Sequence, residues 1–119
     1  MSKRRVVITG LGIVSPVGNT VSSAWESIVS GKSGITRITR FDASNFTSQI
    51  AGEVKNFDIQ QYLSAKEARR MDIFIHYGMA AAIQAVKDAG IEDVTHLDSE
   101  RVGVNIGSGI GGLSMIENT

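Results

Sequence analysis

RVGVNIGSGIGGL, residues 101–113, sets a short apolar alternation, Val102, Val104 and Ile106, directly before four glycines within six positions. Alternation of period two is the pattern of a strand, and glycines clustered at its end make a tight turn. The stretch therefore predicts a strand, a turn and then a helix starting near Gly112, where Leu113, Ile116 and Glu117 follow at helical spacing before the chain stops at Thr119. A helix of barely two turns neither buries a face nor sustains itself. The expectation is a chain cut from a longer protein, whose function belongs to the longer whole.

Upstream of this stretch the same layered pattern repeats. Arg5 to Ile8 is an uninterrupted branched run, and Val14 continues the apolar character past Gly10 and Gly12, which predicts a buried strand over about residues 4–14. Asn19 or Thr20 can cap a following helix whose face carries Val21, Ala24, Trp25, Ile28 and Val29, and Gly31 ends it. A polar, irregular connection runs to Asn45, after which Phe46 to Val54 alternates as a strand covered on one face. Ser64 and Glu67 form a capping box for a short helix, and Asp72 caps a long helix from Ile73 to Ala89, ended by Gly90. The long helix is apolar or small at nearly every position, with His76, Gln84, Lys87 and Asp88 as the polar exceptions, so it is expected to be covered on most sides. Its Ala80-Ala81-Ala82 run and Gly78 suit close approach by neighbouring backbones. Residues 91–100 make a polar link carrying His96. The order of elements is that of an α/β layered fold.

Composition narrows the function classes. The 119 residues allow one modest core, and twelve basic residues balance twelve acidic ones, so no global field draws the chain to nucleic acid or to anionic lipid. No cysteine is present, which excludes disulfides, a thiolate nucleophile and thiolate metal sites, and two isolated histidines do not make a zinc site. The basic start at Ser2 to Arg5 precedes only four β-branched residues, too few for a signal peptide or a membrane span, and a cytoplasmic location is the default expectation.

Several constellations deserve weighing against plainer alternatives. Gly10-Leu11-Gly12 could open a dinucleotide fingerprint, but that motif needs a helix to begin at its third small residue, and Pro16 and Gly18 intervene. Ser108 sits between glycines like an exposed nucleophile, yet G-x-S-x-G requires glycine where Ile106 stands. His76 and His96 have no carboxylate or cysteine at ligand or triad spacing and read as structural. Lys66, Arg69 and Arg70, at i, i+3 and i+4, share one helix face and form a compact positive patch, either a solvated face or a docking site. Gly107, Gly109, Gly111 and Gly112 either belong to a dinucleotide turn or let backbone approach a bound chain while Ile110 gates an apolar tunnel; the plain alternative is a tight turn with Ile110 in the core.

Five blocks in order, VVITGLGIVSPVGN at 6–19, SGKSGI at 30–35, AGEVKNFD at 51–58, KEARRMDIFIHYGMAAAIQA at 66–85 and IGSGIGGL at 106–113, resemble the N-terminal part of a type II β-ketoacyl-acyl-carrier-protein synthase. The resemblance covers the whole chain and implies a thiolase-like fold, two βαβ-rich halves stacked as α-β-α-β-α layers, of which residues 1–119 are the N-terminal portion of the first half. It implies a cytoplasmic homodimer without cofactor or metal, acting on fatty acyl and malonyl thioesters carried by acyl carrier protein. The family's nucleophilic cysteine, two histidines and supporting lysine fall in later segments, and neither His76 nor His96 matches them, so no catalytic residue is expected here. By the same resemblance Lys66, Arg69 and Arg70 match the carrier-protein docking helix, although some relatives have lysine where Arg70 stands. Ile110 matches the acyl-pocket gate, and Gly107, Gly109, Gly111 and Gly112 match the turn around it. The rival reading is a nucleotide-binding or purely structural fragment of an unrelated α/β protein.

Overall fold

The longest element is the helix Ile73–Ala89, and both of its ends are set by local chemistry. Asp72 is extended and its carboxylate accepts from the Ile73 amide at 2.6 Å, while Gly90 adopts the left-handed conformation (φ 71°) that lets its amide and that of Ile91 close on the Lys87 and Val86 carbonyls. The computed structural model describes residues 3–93 and 95–118; Ser2 of the basic start and Thr119 lie outside them. In chain order the elements are α1 (Val21–Val29), β1 (Ile35–Arg37), β2 (Ile50–Gly52), α2 (Ala65–Ala68), α3 (Ile73–Ala89) and α4 (Leu113–Glu117), with 3-10 turns at Ile59–Gln61 and Ser99–Arg101.

Alpha3 is the surface on which the amino-terminal segment lies. A Cβ added to Gly10 would stand 2.6 Å from the Ala89 nitrogen, and one added to Gly12 would stand 2.9 Å from the Ala85 nitrogen and against the Ala81 carbonyl. Backbone meets backbone here, which only glycine on one side and a ridge of alanines at i, i+4 and i+8 on the other permits. The amides of Leu11 and Ile13 donate to the Asp88 and Gln84 side chains at 3.0 and 3.2 Å. Gly10-Leu11-Gly12 is thus a helix-packing device. A tight Ser15–Gly18 turn follows, and Pro16 packs on Gly34 and Gly52, where added Cβ atoms would come within 2.8 and 2.9 Å of its ring. Thr20 then caps α1 through a reciprocal box with Ser23.

Strand expectations are corrected in four places. Residues 4–14 and 102–106 form no ladder among the described residues, because a strand needs a neighbour and the Leu11 and Ile13 amides are taken by α3 side chains. The strand expected over 46–54 shrinks to β2, since Phe46 turns back to pack edge-on against Phe41 with ring centroids 5.8 Å apart. Its antiparallel partner β1 lies within the stretch read as irregular, with Ile35 opposite Gly52, Thr36 opposite Ala51 and Arg37 opposite Ile50.

Burial is slight. The buried apolar residues are Ala24, Ala43, Ala68 and Ala80, and on α3, expected to be covered on most sides, Ala80 alone is buried among the described residues. Val6, Ile8 and Val104 are 92, 81 and 86 % exposed. The accessible surface is 9849 Å², against about 6,200 Å² for a compact monomer of this mass. The radius of gyration is 17.7 Å, against about 13.5 Å for a compact domain of this length. We predict that the isolated 119 residues scatter X-rays as an expanded or self-associating species and bind an apolar dye. A monodisperse monomer near 13.5 Å with a sharp cooperative melt would contradict the open core.

Candidate functional site

The glycine turn splits into two halves. Beside α3, a Cβ on Gly111 would fall 2.5 Å from the Phe74 ring, and Gly112 holds φ 81°, 3.3 Å from the Asp72 carboxylate if a Cβ were added. Both positions therefore require glycine. Gly107 and Gly109 have nothing within 4 Å of such an atom, so no contact within the chain demands them. Between the halves, Ile110 takes φ 49°, a left-handed backbone that a β-branched residue adopts only at a cost of roughly 1–3 kcal/mol, and its side chain is 81 % exposed. Within residues 3–118 no neighbour covers the Ile110 side chain.

An apolar groove of about 240 Å³ lies alongside. Phe74, Ile75, Gly78 and Met79 of α3 form one wall and residues 106–108 the other. Gly78 has open space where a Cβ would be, which leaves the helix flat beneath the groove. The structure brings Gly107 into this lining and leaves Ile110 outside it. Alpha4 begins with Gly112 as its cap and no side-chain hydrogen bond.

The basic cluster sits on α2 and just beyond it. Lys66 is helical, Arg69 is the C-cap and Arg70 stands in the following turn, so the helix is shorter than the spacing suggests; all three side chains are exposed. The capping box forms as expected, the Glu67 amide donating to the Ser64 hydroxyl at 3.2 Å and the Glu67 carboxylate accepting from the Ser64 amide at 3.1 Å. The Ser64 backbone and hydroxyl bonds hold the Glu67 carboxyl below its ordinary range. A depressed folded-state pKa means that the box stabilises at pH above the ordinary glutamate range and is lost as pH falls through the lowered value. The one acid in this helix is thus turned back to its amino end, away from the cations at its carboxyl end.

His76 is part-buried, and its Nε2 lies 2.8 Å from the Ala68 carbonyl. His96 is exposed in the polar link. Among the described residues no group of three or more potential ligands could hold a metal ion. Sequence patterns did not expose the role of Gln84, which accepts from Ile13 and donates to the Asn19 carbonyl at 2.8 Å and the Tyr62 hydroxyl at 3.0 Å. Nor did they link Arg40 to Tyr77, whose hydroxyl accepts from the guanidinium at 2.7 Å. The only signal was a polar residue on an otherwise apolar helix.

Comparison with known proteins identifies the family. The family described as Beta-ketoacyl synthase, N-terminal domain, matches residues 3–119. A 3-oxoacyl-[acyl-carrier-protein] synthase 2 from Vibrio harveyi is 59 % identical over 98 % of the chain, and one from Synechocystis sp. is 47 % identical over 99 %. The chain spans 28 % of the length of each. Among solved structures, a ketosynthase of the AntDE:AntF assembly, described as a type II PKS acyl-carrier protein in complex with its ketosynthase, superposes with a TM-score of 0.74 at 30 % identity, over 98 % of this chain and 30 % of its own. The ishigamide ketosynthase/chain length factor gives 0.67 at 37 % identity, over 75 % of this chain and 22 % of its own. An unrelated nucleotide-binding α/β protein is thereby set aside, and the chain, a mixture of helices and short strands matched from residue 3 onward, belongs to the β-ketoacyl synthase family as a portion of its N-terminal domain.

Proposed function

We propose that these residues are the N-terminal part of a 3-oxoacyl-acyl-carrier-protein synthase that elongates fatty acyl chains by decarboxylative Claisen condensation. The observation that carries this is the 59 % identity over 98 % of the chain to a synthase of that name. In the reaction a cysteine thiolate takes the acyl group from its carrier, releasing the carrier thiol. Malonyl-acyl carrier protein then loses carbon dioxide, and the resulting carbanion attacks the acyl thioester and expels the cysteine thiolate. Such chemistry needs a thiolate and N–H donors for the developing oxyanion. With no cysteine among the 119 residues, this segment contributes scaffold, docking surface and acyl-pocket gate.

Within that reading, residues 1–119 form part of the first half of an α-β-α-β-α layered enzyme, and the exposed Val6, Ile8 and Val104 are faces that further layers cover. The enzyme works as a cytoplasmic homodimer without cofactor. Lys66, Arg69 and Arg70 receive the acidic carrier protein, supported by their joint exposure and by Glu67 turning away. Ile110 gates the acyl tail, supported by its exposure in a strained backbone beside glycines that leave open space.

The test of the reaction is turnover of acyl- and malonyl-carrier protein by the full-length synthase bearing this sequence, with none from the 119 residues alone. Turnover by the isolated chain, free of host enzyme, would refute the assignment of roles. Reversal of all three cations (K66E/R69E/R70E) should raise the KM for carrier protein and flatten its salt dependence while leaving alkylation of the catalytic thiol unchanged. Unaltered carrier-protein kinetics at low salt would remove the cluster from docking. Ile110→Phe should reduce kcat/KM for long acyl chains far more than for short ones, because a ring in a confined tunnel costs about 1–3 kcal/mol. Equal losses on both chain lengths would leave Ile110 without a gating role.

A further inference from the structure

Alpha2 is a single turn of four residues, and one turn of helix does not hold itself in water. Its amino end is fixed by the Ser64–Glu67 box. Its carboxyl end is fixed from outside. The Ala68 carbonyl receives the Met71 amide at 3.2 Å, closing the turn that contains Arg69 and Arg70, and it also receives His76 at 2.8 Å from the first turns of α3. A carbonyl oxygen can only accept, so His76 Nε2 carries the proton and donates.

We infer that His76 is a positioning residue for the basic patch, holding the peptide group from which Arg69 and Arg70 depart at a fixed orientation on α3. The peptide between Ala68 and Arg69 is planar, so anchoring its oxygen sets the plane from which the Arg69 backbone continues. Ala68 is 8 % exposed and seats the same turn from beneath. Arg69 adds a bond from its Nε to the Ala65 carbonyl at 3.2 Å, which relies on that turn being formed. The inference rests on the docking reading of the cluster: a preformed array of cations meets an acidic surface without first ordering the loop that carries it.

The experiment uses the full-length synthase. His76→Ala should raise the KM for carrier protein by about 3- to 10-fold, the range of one part-buried hydrogen bond, with kcat and thiol alkylation unchanged. His76→Leu, which fills the space but cannot donate, should do the same. His76→Gln, whose amide can donate to the same carbonyl, should return KM to within about two-fold of the parent. Hydrogen exchange at the Arg69–Met71 amides should quicken in the Ala and Leu variants and recover in Gln, with α3 unaffected. If Gln is as impaired as Ala, or if exchange and KM stay unchanged in Ala and Leu, the positioning role is overturned. If K66E/R69E/R70E raises KM and the His76 variants do not, docking stands and His76 has no part in it. If the triple reversal leaves KM unaltered, the docking reading falls and this inference falls with it, even where exchange responds to His76→Ala.

Discussion

The contact on which the arrangement depends is the approach of the Gly10–Gly12 backbone to α3, with no side chain between them. Packing peptide against peptide requires that the amides on the approaching segment find acceptors. Asp88 and Gln84 supply them to Leu11 and Ile13. Gln84 then extends the same junction, through its amide, to the Asn19 carbonyl ahead of α1 and to Tyr62 beside the 3-10 turn. Neighbouring positions of α3 carry the other attachments: Tyr77 accepts from Arg40 and packs edge-on with Phe57 at 5.2 Å, His76 holds α2, and Phe74 underlies the glycine turn. One helix thus organises segments that make few contacts with one another.

What was legible in the sequence divides along the range of the interactions. Thr20, Ser64, Asp72 and Gly90 act on amides and carbonyls within a few residues, so the helices they bound could be read from neighbours alone. Strands could not, because a β-branched run states a preference and only a partner makes a ladder. Ile35–Arg37 found one in Ile50–Gly52, whereas Val6–Ile8 and Val102–Ile106 did not. The cluster at 66–70 was readable as a patch because its members are close in sequence. The hydrogen bond from His76 to Ala68 was not, since a histidine on the edge of an apolar face looks the same with or without a distant carbonyl above it.

The glycine turn separates two uses of one residue type. Gly111 and Gly112 answer to Phe74 and to backbone conformation, so their identity follows from the chain itself. Gly107 and Gly109 border open space, and no atom of these residues explains their identity. Ile110 stands between these regimes with a backbone energy that a glycine would not carry. Electrostatics is equally local: a chain of zero formal charge still presents three cations side by side, because the intervening acid is engaged by Ser64.

The docking of residues 10–13 on α3 also fixes an order of events during synthesis. The acceptor for the Leu11 amide lies 77 residues later and that for Ile13 lies 71 residues later. At typical elongation rates of about 5–20 residues per second, residues 11–13 wait roughly 4–15 s before their platform has been made. The Val6-Val7-Ile8 run beside them stays open even once α3 is in place, Val6 and Ile8 being 92 and 81 % exposed. A β-branched segment open in this way invites pairing with another chain, and Lys3, Arg4 and Arg5 beside it are flanking charges that oppose such pairing.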